Sequence, residues 1–200
     1  ALRVDGLTGR VTTGVAGWRE MLTGPRSFFV DAILGNDAGS GLGQASDAFA
    51  SLPRALAAAL SLDSGGHDIT IEIASGTYGL AETLRIGTGL TGGGKLILQG
   101  NSADPDAATI EATDSVIEVS SGYLLLRGVR LQNSSTVKAV VTVATQGEVI
   151  LDQVAFGPAG GHLNVAGGRV ALAGGYAIKG SAAYHLRVSE GGLYDGSAQP

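Results

Sequence analysis

The chain has 200 residues, a length that suits one domain with a sizeable core, and it contains no cysteine. The missing cysteine excludes disulfides, zinc–thiolate sites and cysteine nucleophiles. The net charge of −5 disfavours nucleic acid, which requires clustered Lys and Arg. With 33 glycines and only 16% charged residues, the composition predicts a folded protein with many turns. No apolar run is long enough to predict membrane insertion.

Three zones follow one another along the chain. Residues 1–27 are rich in Gly and Thr and predict an extended leader. Residues 28–66 predict a turn-rich entry followed by one helix. From residue 67 to 200, short apolar runs alternate with Gly, Ser and Asn, which predicts a series of short strands.

The only predicted helix covers residues 52–62. Ser51 is a good N-cap, and Pro53 lies in the first turn, where its missing N–H costs nothing. Leu52, Ala55 and Leu56 begin an apolar face at helical spacing, so this face must cover another part of the molecule.

An internal repeat decides the fold class. Residues 116–119, 140–143, 162–165 and 185–188 are similar segments that start 24, 22 and 23 residues apart, and a second apolar run follows each. Such a period predicts a solenoid, an all-β right-handed parallel β-helix whose coils stack about 4.8 Å apart.

Alternation along the strands assigns the direction of each side chain. Glu118, Thr142, Asn164 and Arg187 are expected to point outward. The inward residues are predicted to be Ile117, Val119, Val141, Val143, Leu163, Val165, Leu186 and Val188.

The open ends of a solenoid need covers, because their unpaired edges would otherwise bind other strands. The predicted helix is placed to cap the N-terminal end. No second cap is recognisable near Pro200, so we expect either further chain or another subunit to protect the other end.

Three segments of the chain resemble a known superfamily. They are FVDAILGNDAGSG at 29–41, AFASLPRAL at 48–56 and IEIASGTY at 71–78. They resemble the N-terminal entry of the pectate-lyase-like β-helix superfamily, with a departure at 52–54, where the family usually has Ile or Leu followed by Gln. That superfamily includes polysaccharide lyases, hydrolases, adhesins and phage tail spikes, so the fold alone does not decide the function.

The leader narrows the choice. VDGLTGRVTT at 4–13 is similar to a segment that precedes receptor-binding regions in tail fibres of phages and gene-transfer particles. This resemblance implies a homotrimer in the virion, outside the cell, that contacts other tail or baseplate proteins and host-surface polysaccharide. It implies no cofactor. Trp18, Met21 and Leu22 are then candidates for attachment to a neighbouring virion protein.

The main hypothesis is therefore a tail spike or tail fibre structural protein. The alternatives are an extracellular polysaccharide lyase or glycoside hydrolase, and a bacterial adhesin. For catalysis, Arg127 and Asp152 align across one coil and should form an ion pair, with Arg130 nearby. A hydrolase would need two carboxylates at about 5–9.5 Å. The pairs available are Glu111 with Glu118 and Glu148 with Asp152, and we do not expect them to form a catalytic cleft.

Other residues suit ligands but also have structural interpretations. Tyr123, Tyr176 and Tyr184 are candidates for stacking on sugar rings, although tyrosines at coil edges often only pack. Asp31, Asn36 and Asp37 could hold calcium, but the same residue types form turns, which we favour. His162 and His185 occupy equivalent positions that we expect to face outward as solvated residues, with a shared metal as the alternative.

Overall fold

The computed structural model describes residues 2–4, 11–13, 19–88 and 90–196, the first two ranges by their backbone alone. Trp18 lies outside the described residues, as do residues 1, 5–10 and 14–17 of the leader. One α-helix, α1, spans Leu52–Leu60. The strands, in chain order, are β1 Leu2–Val4, β2 Val11–Thr13, β3 Arg26–Val30, β4 Ile69–Ile73, β5 Gly76–Leu80, β6 Leu84–Ile86, β7 Leu96–Gln99, β8 Ala108–Ala112, β9 Ile117–Arg127, β10 Arg130–Asn133, β11 Ala139–Asp152, β12 Val154–Phe156, β13 Gly161–Ala166, β14 Arg169–Leu172, β15 Tyr176–Ile178, β16 Leu186–Ser189 and β17 Leu193–Asp195.

The strands from β3 onward form a parallel β-solenoid of about five turns, as the repeat predicts. Three faces surround one core. Face A contains β3, β4, β7, β14, β17 and the second halves of β9 and β11. Face B contains β5, β8, β10, β12 and β15. Face C contains β6, β13, β16 and the first halves of β9 and β11.

Residues with a left-handed backbone conformation (positive φ) lie at corners where the chain turns from one face to the next. Gly128 and Gln153 both follow face A in neighbouring coils, and their φ angles are +61° and +55°. Thr145, with φ +53°, lies in β11 where the strand passes from face C to face A. A non-glycine residue is uncommon in this conformation, so Gln153 and Thr145 carry local strain.

The predicted register of face C is confirmed. Ile117 pairs with Val141, Val141 with Leu163, and Leu163 with Leu186. The first three of these side chains are at most 1% exposed, and Glu118 pairs with Thr142 on the outer side. In the last coil, Leu186 is half-buried.

The helix covers the N-terminal coil, as predicted, and ends at Leu60 rather than residue 62. Ser51 Oγ accepts a hydrogen bond from Arg54 N at 3.4 Å, and Leu52 and Ala55 are buried. The helix packs against β3 and β4. The apolar face that helical spacing predicts for α1 is the face that is buried.

Leu22 and the start of β3 extend the solenoid into the predicted leader. Arg26 pairs with Ile69 of β4, and Leu22 is 4% exposed within the core. The Leu22 side chain is therefore part of the core of this chain and is not available to a neighbouring virion protein, which corrects the assignment of that residue to attachment. Met21 beside it is 65% exposed, so its role in attachment stays a prediction.

The prediction that His162 and His185 face outward is wrong. His162 is 1% exposed and belongs to the inward column of Val116 and Val140. At the corner between faces B and C two consecutive residues point inward, as Val140 and Val141 do, because the strand changes direction there. Alternation with period two does not apply at such a corner.

Candidate functional site

The outer surface of face A brings together three of the predicted site residues. Tyr123 and Arg127 lie on β9, and Asp152 lies beside Arg127 on β11. Arg127 Nε is 2.7 Å from Asp152 Oδ2, which confirms the predicted ion pair. The surface is the natural place to test for binding or chemistry, because its strands are held rigidly by the coils on either side.

The Arg127–Asp152 pair belongs to a longer ladder of polar side chains. Arg127 also donates to Gln99 Oε1 at 3.4 Å, and Gln99 Nε2 donates to Glu72 Oε2 at 3.3 Å. Partial burial raises the pKa of Glu72, and the hydrogen bond from Gln99 opposes that shift. The ladder therefore joins four coils along one edge of face A.

A second ladder runs along the opposite edge of face A. Lys95 Nζ lies 5.2 Å from the ring centroid of Tyr123, a cation–π contact. Arg169 is 2.8 Å from Glu148 and 3.2 Å from Asp195. Burial, followed by the negative charge of Glu148, raises the pKa of Tyr123.

Aliphatic side chains fill the strip between the two ladders. Ile97, Leu125 and Ile150 align on the outer side of successive coils, followed by Ala171. Leu125 is only 8% exposed, so the long polar side chains at its sides cover it. None of these four residues lines either of the two grooves found on the described part of the molecule.

The carboxylates on face A are not arranged for hydrolysis. Glu148 and Asp152 lie four residues apart on β11, which places them about 13 Å apart along the strand. That separation exceeds the 5–9.5 Å of paired glycosidase carboxylates, and an arginine already neutralises each group.

The second predicted pair of carboxylates is divided between two faces. Glu111 lies on face B and accepts from Gln132, whereas Glu118 lies on face C and pairs with Arg85. Neither of the two candidate carboxylate pairs is therefore brought together in the described part of the chain.

The tyrosines predicted to bind glycans do not form one platform. Tyr184 lies near face C, where the Arg187 guanidinium is 4.2 Å from its ring centroid. Tyr176 aligns with the buried Val154 and points toward the core, where it stacks on His185 at 4.9 Å between ring centroids. Only Tyr123 shares a surface with Arg127 and Asp152.

The aromatic cluster around His185 closes the core in the last coils. His162 Nε2 is 3.0 Å from the carbonyl oxygen of Gly157, so this nitrogen must carry the proton in the neutral ring. His162 Nδ1 then accepts from His185 Nδ1 at 2.9 Å, and His185 Nε2 is buried without a partner. Burial lowers the pKa of both histidines, and His162 lowers that of His185 further.

Asp31, Asn36 and Asp37 use their side chains to hold the entry turn together. Asp31 Oδ1 accepts from the backbone N–H groups of residues 33 and 34, and Asn36 Oδ1 from that of residue 38. Asp37 accepts from Ala50 N, Ser51 N and Ser51 Oγ, which ties the turn to the start of α1. These bonds agree with the turn interpretation. Within the described ranges, no group of three His, Cys, Asp or Glu side chains could hold a metal ion.

A polar network on face B was not foreseen, apart from Arg130. Arg130 is 3.2 Å from Asp106 Oδ1, and Lys179 pairs with the same carboxylate. The hydrogen bond from Lys179 is the main cause of the lowered pKa of Asp106. Arg130 Nε also donates to Gln132 Oε1 at 3.2 Å.

Comparisons with known proteins give no relative for this chain. No description of a protein family, no curated protein and no solved structure matches it. A search of the described residues for a helix able to cross a membrane found none.

Proposed function

We propose that the chain is a β-helical structural part of a bacteriophage, or phage-like particle, tail spike or tail fibre, which binds host-surface polysaccharide. The observation that carries the proposal is the solenoid itself. Its coils share one continuous core and α1 covers its N-terminal coil, directly behind a leader that resembles those of tail fibres. Such a solenoid presents an extended outer surface for binding, which suits a virion protein outside the cell.

The outer charges favour a structural function over catalysis. Arg127, Asp152 and Glu148 are engaged in ion pairs that link successive coils. A general acid or base must instead face a substrate with its proton available. The lyase and hydrolase alternatives therefore have no assembled acid–base pair among the described residues.

Light scattering of the purified chain tests the proposal. The proposed homotrimer has a mass of about 60 kDa, three times the 20.0 kDa of one chain. We expect this trimer to resist mild denaturant. A stable monomer of 20.0 kDa would exclude the obligate trimer.

A depolymerase assay then separates attachment from enzymatic degradation. We expect no release of reducing ends from acidic polysaccharides. If release occurs and Arg127→Ala or Asp152→Ala abolishes it, while the wild-type mass is unchanged, the polysaccharide lyase or hydrolase replaces the structural proposal.

A further inference from the structure

A groove on the outside of the solenoid lies at the edge of face B, away from the ladders of face A. Its volume is about 440 Å³, and it extends from β5 across β8 and β10 to Pro158. Three steps between stacked coils correspond to a length of about 14 Å. Its polar lining includes Glu111, Thr113, Gln132, Asn133 and Ser134, with Gly79 at one end.

The groove opens where an outward column of side chains contains a glycine. Gly79, Glu111 and Gln132 align in three successive coils. A Cβ atom added at Gly79 would find nothing within 4 Å, so space opens directly beside the Glu111 side chain. The groove therefore runs along the solenoid axis, in the direction in which an extended polymer would lie.

Glu111 is held in position by a chain of hydrogen bonds. Gln132 Nε2 donates to Glu111 Oε2 at 2.8 Å, and Gln132 Oε1 accepts from Arg130 Nε. The Arg130 contact decides the orientation of the amide, and Asp106 in turn holds Arg130. A carboxylate offers about four acceptor positions, and Gln132 uses one of them. The others are available to donors of a ligand.

The charge of the lining selects the class of ligand. Glu111 is the only charged side chain among the lining residues. The nearby Arg130 and Lys179 are both committed to Asp106. A polyanion such as a uronate or phosphate polymer would meet an unopposed carboxylate, whereas hydroxyl and amino groups would donate to it.

We propose that this groove binds a strand of neutral or amino-sugar glycan, with Glu111 accepting from its hydroxyl or amino groups. The inference rests on the proposed attachment function, and it adds the binding surface and the charge class of the polysaccharide. Amide and hydroxyl groups of Gln132, Thr113 and Ser134 supply further donors and acceptors along the strand.

An array of neutral, amino-sugar-containing and acidic bacterial polysaccharides tests the proposal with the purified chain. We expect binding to neutral or amino-sugar glycans. Gly79→Gln fills the groove without a backbone clash and should weaken that binding by at least tenfold. Gly24→Gln is the matched control, because a Cβ there also meets nothing within 4 Å and Gly24 is not part of the groove lining. This control should bind as the wild type does.

Glu111→Gln keeps the shape of the groove and removes the charge. Hydrogen bonds to charged groups contribute more than neutral ones, so we expect a loss of about tenfold, largest for amino sugars. Binding that is confined to acidic glycans, or that Gly79→Gln leaves unchanged, overturns the groove assignment while glycan attachment stands. An absence of binding to every glycan also overturns it. The mass measured by light scattering tests the structural proposal independently of glycan binding.

Discussion

Val165 and Val188 occupy the same inward column in neighbouring coils, yet Val165 is fully buried and Val188 is 46% exposed. Phe156 and Ile178 repeat the contrast on face B, with exposures of 0% and 54%. The sequence pattern is the same in both coils, and only the middle coil has another described coil stacked on each side. Direction is therefore a local property of the strand, whereas burial depends on the neighbouring coil, as expected for a repeat structure.

The largest expected effect comes from truncating Phe156, the buried residue of the pair on face B. Phe156→Ala removes a fully buried ring, and we expect it to lower the free energy of unfolding by about 3–5 kcal/mol. Ile178→Ala, at the aligned position in the last coil, should cost less than about 1 kcal/mol. Urea unfolding of both variants measures the difference. Equal losses would mean that the last coil is as tightly packed in solution as the middle one.

The sequence predicted much of this fold because the relevant signals are local. The 22–24-residue spacing placed Val141 beside both Ile117 and Leu163, and alternation then sorted inward from outward residues on the straight parts of the strands. The same logic gave the Arg127–Asp152 pair.

Corners and irregular coils limited the prediction. His162 was assigned to the wrong side because two adjacent residues point inward at its corner, although its alignment with Val140 was a usable signal. The groove is not predictable from the sequence for a different reason. Leu84 and Ile117, neighbours on face C, are 33 residues apart, so the early coils do not show the regular period that would align Gly79 with Glu111.

His162 lies on β13 with Val165, and His185 aligns with it in the following coil, so the titration of the two histidines should make the stability of these two coils depend on pH. Their folded-state pKa values lie below the ordinary value of 6.5, so the unfolded chain binds more protons as the pH falls through 6.5. Stability should therefore fall from pH 7.5 to pH 5, in the direction that proton linkage requires. Burial is the main cause of the lowered pKa values, and a proton on His162 Nδ1 would in addition face the N–H of His185.

His162→Val separates this effect from other titrations. Valine already fills the same column at Val140, so the variant should fold and should lose less stability than the wild type between pH 7.5 and pH 5. Val140→Ala is the control, because it truncates the same buried column without removing an ionisable group, and it should keep the wild-type slope. Urea midpoints at the two pH values give the comparison. A wild-type slope in His162→Val would show that the pair does not titrate during unfolding.

The smallest expected effect concerns the corner after face A, where neighbouring coils have different residues at the same left-handed position. Gly128 adopts a left-handed φ without penalty, whereas Gln153 adopts nearly the same φ with a side chain. The left-handed conformation costs a non-glycine residue about 1–2 kcal/mol, and the extra freedom of glycine in the unfolded chain offsets about 0.5–1 kcal/mol of the gain. Gln153→Gly should therefore raise the free energy of unfolding by up to about 1 kcal/mol.

Gln146→Gly is the matched control for this last prediction. Gln146 is also exposed, but it lies in β11 and is not among the residues with positive φ. Glycine there brings the entropic cost without relieving strain, so this variant should lose about 0.5–1 kcal/mol. Thermal or urea unfolding that ranks Gln153→Gly above the wild type and Gln146→Gly below it would assign the difference to the corner. Equal losses in both variants would show that Gln153 pays no conformational penalty, and that the turn after face A tolerates either residue equally.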